Sequence, residues 1–200
     1  MSRVAIAKRG TTNKMFKYNK KFDKNFNQEY FNKSIIMNRI FLYNKLWNYK
    51  KEKIIKKYIC EDLEIKNKKI KFKYFVISKG RSKYNSNLNH IYISINVIDI
   101  ISTIVHEMHH IYFLNNYSDI LKNKYGLQEK EIQEIKEIFI FIINQNKYIK
   151  ITKGEDKTYK DIIDIQNEMF KIWQKGNGIY DFFDQAIPLY KKYIENGEKI

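Results

Sequence analysis

The stretch that most narrows the fold is IVHEMHHIYF, from Ile104 to Phe113. Its apolar residues recur at three- and four-residue spacings, the period of a helix with a buried face. His106 and His110 lie four apart, so on a helix they share one face, a turn apart. Apolar residues flank the imidazoles on a strongly helical pattern, and a strand is expected just before them. Asn96 or Asp99 stands where a capping residue belongs, and the helix is expected to run to about Asn115.

The flanking sequence supplies the other elements. KKIKFKYFVISK, residues 68–79, alternates Lys with Ile, Phe and Tyr and then turns apolar, which predicts a half-buried strand. GRSKYNSNLN, Gly80 to Asn89, is turn material, and HIYISI, His90 to Ile95, predicts a second strand paired with the first. From about Phe26 to Tyr58 a helical spacing runs through Phe31, Ile35, Ile36, Ile40, Phe41, Tyr43, Leu46 and Trp47, and one long helix or two fit it. Further helices are expected over about Leu127–Asn144, Lys157–Trp173 and Asp181–Ile194, broken at Gly176-Asn177-Gly178. A loop over 145–156 leaves room for a short strand at 148–151. Trp47, Trp173 and the Phe-rich stripes read as core. Residues 1–25 read as a basic arm, mobile or with one short element, and residues 26–200 as one domain. The expected class is α+β: mostly helical, with a small antiparallel sheet before the central helix.

Composition closes off several alternatives. One proline and seven glycines in 200 residues exclude collagen-like and low-complexity architectures. A single cysteine, Cys60, excludes an internal disulfide framework and a Cys-rich zinc site; it reads as a small buried residue. The longest apolar run, Ile138 to Ile143, is six residues, far short of the roughly 18–20 needed to span a bilayer. The N-terminal residues lack the apolar segment of a secretory signal, so a cytoplasmic protein is expected. The net charge is +16, unevenly spread: residues 1–90 hold 24 Lys+Arg and 6 Asp+Glu, leaving 14 and 16 for residues 91–200. A basic N-terminal half suits nucleic acid or an acidic protein partner, although much of the excess lysine fits the Lys-, Asn- and Ile-rich bias of the whole chain.

His106, Glu107 and His110 form H-E-x-x-H. Two imidazoles one helical turn apart reach a single Zn²⁺, and the intervening Glu reaches a water on that ion and takes its proton as the water attacks a carbonyl. A third protein ligand is required. No histidine follows His110, and His90 on the preceding strand is a poor candidate. His109 reads as a bystander. The downstream carboxylates are Glu129, Glu131, Glu134 and Glu137. Helical phase places Glu131 and Glu134 nearer the apolar face of Ile132, Ile135, Ile138 and Ile142. Burial favours Glu137, which opens the all-round apolar run, where an unpaired charge is costly.

The order strand, helix, H-E-x-x-H over residues 70–144 resembles the zincin metallopeptidases of the gluzincin type. The resemblance extends to small bacterial and phage zincin-like proteins through Lys136-Glu137, the apolar run and Asn144, and through the separation of 27 residues between His110 and Glu137. It implies a zinc metallopeptidase acting on a protein or peptide, with His106, His110 and Glu137 as ligands and Glu107 as general base. It also implies that an edge strand, here His90–Ile95, holds the substrate backbone as an added strand. One departure is His109, where zincins usually carry a small residue. Tyr112, or Tyr159 near Asp156, is a candidate oxyanion donor. A regulatory or binding module on the same scaffold, using the basic half, is the alternative.

Overall fold

The computed structural model describes residues 16–18, 33–66, 69–77, 80–144 and 163–195. The elements in chain order are β1 (Phe16–Tyr18), α1 (Lys33–Leu46), α2 (Tyr49–Asp62), β2 (Lys73–Ile77), β3 (Lys83–Asn85), β4 (His90–Ser94), α3 (Ile100–Tyr125), α4 (Glu129–Asn144), α5 (Ile163–Trp173) and α6 (Ile179–Glu195). The class is α+β and mostly helical. The expected strand at 148–151, the start of the helix at 157 and the pair Asp156 and Tyr159 lie outside the described residues, as does most of the arm. Within the arm, β1 is the short element, and Phe16 is buried against Tyr43 and Tyr74.

The sheet corrects two expectations. It has four strands in the order β1-β2-β4-β3, and it is mixed, not antiparallel. β2 runs parallel to both β1 and β4, and only β3 is antiparallel to β4. The reason lies in residues 80–89, which do more than turn. They hold the short return strand β3, so the tight hairpin joins β3 to β4 through Ser86–Asn89. Asn89 takes φ +52° there, a conformation asparagine tolerates better than most residues. β4 is consequently an inner strand, bonded on both sides, and His90–Ser94 cannot accept an added strand. β3 is the edge beside α3.

The helices follow their local signals. The region from Lys33 to Asp62 is two helices, because Asn48 breaks the run and accepts a hydrogen bond from Lys51 N at 3.0 Å as the cap of α2. Of the two candidate caps for α3, Asp99 takes the role, accepting from Ser102 N at 3.0 Å. α3 continues ten residues past the expected Asn115. Phe113, Tyr117 and Leu121 extend the buried stripe at four-residue spacing. It ends at Gly126, φ +68°. The Leu127 and Gly126 amides return to the Leu121 and Lys122 carbonyls at 3.2 and 3.1 Å, closing the helix end through a left-handed glycine. Only residues 126–128 separate α3 from α4. Gln128 N donates to Glu131 Oε2 at 2.6 Å, starting α4.

Behind these two helices lies an aromatic core. The Phe139 ring stands 5.5 Å from Phe113, 5.2 Å from Trp173 and 5.0 Å from Phe182. Phe113 follows His110 by three residues and Phe139 follows Glu137 by two, so this packing sets the height of α4 against α3. α6 is tied in by Glu64, whose carboxylate accepts from Ile179 N at 3.2 Å. Among the described residues no helix is long and apolar enough to cross a membrane.

Candidate metal centre

α3 presents His106 and His110 toward α4, and α4 presents Glu137 toward them. One ligand atom from each of the three lies within 4.8 Å of the others. The two Nε2 atoms are 2.9 Å apart. Glu137 Oε2 is 3.7 Å from His106 Nε2, and Glu137 Oε1 is 3.5 Å from His110 Nε2. Two donors each bound at about 2.0–2.2 Å to a tetrahedral zinc are roughly 3.3–3.6 Å apart. The three separations bracket that span, so the residues fit the ion.

The donor chemistry fits as well. His110 is almost fully buried, and desolvation, with His106, Lys136 and His109 adding, holds its pKa well below the ordinary value. A neutral imidazole keeps the lone pair that a metal needs. His110 Nδ1 has no hydrogen-bond partner among the described residues. The Tyr84 ring packs over His110 at 4.8 Å.

Of the four candidate glutamates, the structure brings only Glu137 to the histidines. Glu129 accepts from Gln133 Nε2 at 2.8 Å. Glu131 serves the start of α4. Glu134 points to the other side, paired with Lys130 at 3.4 Å and hydrogen-bonded by Tyr190 of α6. Helical phase was the weaker argument, because the face it selected is the one that packs on α6. Glu107 is buried, 6% exposed, on the same helix as the two histidines. His109 is fully buried, with Nδ1 donating to Val105 O at 2.8 Å, outside the ligand group. Tyr112 is likewise buried, packed on Phe72 at 5.8 Å on the sheet side of α3. His90 packs on Phe75 at 5.0 Å in the sheet.

Of two residues beside the group, Tyr84 was not singled out from sequence, and Lys136 entered only through the resemblance, with no role at the centre. Tyr84 reaches it from β3, and Lys136 Nζ donates to the Tyr84 hydroxyl at 2.7 Å. Burial raises the Tyr84 pKa; Lys136 opposes this, while the Glu137 and Glu107 carboxylates reinforce it. Tyr84 lay in a segment that read as a turn, and Lys136 among many lysines. Only the apolar neighbours Ile135 and Ile138 marked Lys136 as a buried charge. Compared with known proteins, the chain matches no family model, no curated protein and no solved structure.

Proposed function

We propose that the chain is a zinc-dependent hydrolase of the zincin kind, cleaving peptide bonds in a protein or peptide substrate in the cytoplasm. The observation that carries this reading is the convergence of His106, His110 and Glu137 beside a buried Glu107. The two Nε2 atoms and a Glu137 oxygen would hold the ion. Zinc held there supplies Lewis acidity toward a carbonyl oxygen and makes a water more acidic. Glu107 takes the proton of the attacking water and delivers it to the leaving amine. As the edge of the sheet, β3 is the strand along which an extended peptide would align, the role expected of His90–Ile95.

The test is metal content of purified protein beside His110→Ala, Glu137→Gln and Glu134→Gln, followed by peptide cleavage with Glu107→Gln as the inactive control. One equivalent of zinc, lost in the first two variants and kept in the third, supports the reading. A metal-replete wild type without zinc refutes it.

A second reading has its own observation. Lys69, Lys71, Lys73, Arg81 and Lys83 are exposed, and no acidic residue occurs between Glu64 and Asp99. Such a surface supports a polyanion partner, either delivering a hydrolase to its target or acting without catalysis. Binding to single-stranded or duplex nucleic acid that falls steeply with salt supports it; binding insensitive to salt sinks it.

A further inference from the structure

Lys136 is 3% exposed, yet it carries an ammonium group. Burying a charge costs several kcal/mol unless it is paired and its donors are satisfied. A well-packed apolar residue at the same position serves a helix core at least as well. The lysine therefore calls for an account beyond packing.

Its contacts suggest one. Lys136 Nζ donates to Tyr84 Oη at 2.7 Å and Gln133 Oε1 at 2.8 Å, and it forms an ion pair with Glu137 Oε1 at 3.1 Å. Of the three, only Glu137 is an acidic side chain. The same ammonium lies 4.9 Å from the centroid of the Tyr84 ring, and that ring covers His110. Lys136 thus joins the carboxylate of α4 to the tyrosine of β3 around the buried histidine. Both Glu137 oxygens face the histidines, Oε1 at 3.5 Å from His110 Nε2 and Oε2 at 3.7 Å from His106 Nε2, and Lys136 fixes the carboxylate from the Oε1 side.

We propose that Lys136 is a positioning residue for the ligand set, fixing the Glu137 carboxylate so that it is presented to a cation between His106 and His110. The proposal rests on the metal-centre reading above. It deepens that reading by stating how the third ligand is held.

Two effects of Lys136 oppose each other, and their signs separate the roles. As a bare positive charge near a dication, it weakens metal binding, so its removal tightens it. As the donor that orients Glu137, it strengthens binding, so its removal weakens it; loss of a hydrogen-bond partner to a metal ligand typically costs about 10–100-fold in affinity. The experiment measures zinc affinity by competition with a chromophoric chelator for wild type, Lys136→Met and Lys136→Gln. Thermal melts of the metal-free proteins check that each is folded. The expected result is binding about 10–100-fold weaker in Lys136→Met, with much of the loss restored in Lys136→Gln, which keeps an N–H donor without the charge. Equal or tighter binding in Lys136→Met overturns the proposal and leaves the metal centre standing. No zinc binding in wild type overturns both. Should Lys136→Met not fold, Lys136→Gln decides: zinc binding weaker than in wild type agrees, equal or tighter binding overturns it.

Discussion

Gly178 gives the sharpest test of how the last helix is anchored. Its φ is +96°, a conformation that side chains disfavour, and a Cβ built there lies 2.7 Å from Glu64 Oε1, 3.1 Å from Oε2 and 3.3 Å from Cδ. Gly178→Ala therefore acts twice. The backbone conformation itself costs about 1–2 kcal/mol. The methyl also displaces the Glu64 carboxylate from Ile179 N, removing a cap worth about 1 kcal/mol. The sum is about 2–3 kcal/mol, to be read as a lower urea midpoint with an unchanged slope. Glu64→Ala alone removes only the cap. In that background nothing remains to clash, so Gly178→Ala should cost the backbone part alone, about 1 kcal/mol less than in wild type. A Gly178→Ala cost equal in both backgrounds, within the roughly 0.3–0.5 kcal/mol expected of independent sites, refutes the account.

Other outcomes follow from the same packing. Phe139→Ala should destabilise by about 3–5 kcal/mol, because it empties the centre of the ring cluster that sets α4 against α3; at moderate denaturant it should also lose zinc before other core variants do. Glu134→Gln should keep its zinc yet lower the melting temperature, since Glu134 serves Tyr190 and not the histidines. Alkaline pH should unfold the protein through its tyrosines. Burial raises Tyr112, Tyr117 and Tyr190 in the folded state, with Glu134 adding at Tyr190. A folded pKa above the unfolded value of about 10 leaves stability intact below that pH and erodes it above. Phenolate absorbance should then appear together with unfolding; ionisation of all tyrosines while the circular dichroism stays native contradicts this.

Much of the helical layer was legible because its signals are local. Asp99, Gly176 and Gly178 mark ends by backbone chemistry that needs no distant partner, and the apolar period of α4 survives inspection by eye. The sheet was less legible because strand direction is a non-local property. HIYISI and KYFVI carry the same pattern whether they run together or opposed, and a three-residue return strand hidden in SKYNSN decided the matter. The candidate site divides in the same way. His106, Glu107 and His110 declare themselves by spacing within one helix. Glu137 could be preferred over Glu134 by asking where a carboxylate at the start of a buried run finds a partner, and by the resemblance, since phase alone pointed elsewhere. Tyr84 and Lys136 meet across 52 residues, and no short-range pattern links them.

The three-residue joint between α3 and α4 has a consequence for how the centre comes into being. His110 and Glu137 are 27 positions apart, whereas Glu64 must find Ile179 across 115. By loop-closure entropy the longer search costs about 1.3 kcal/mol more before any contact rewards it. The proposed ligand set therefore belongs to a part of the chain with less distance to travel than the contact between Glu64 and Ile179. During synthesis residues 100–144 emerge as one helical hairpin, and α6 joins only after the last fifty or so residues have followed. Assembly of the cation-binding residues can in this way precede completion of the core, and a captured ion would act as an early brace for the fold that later encloses it.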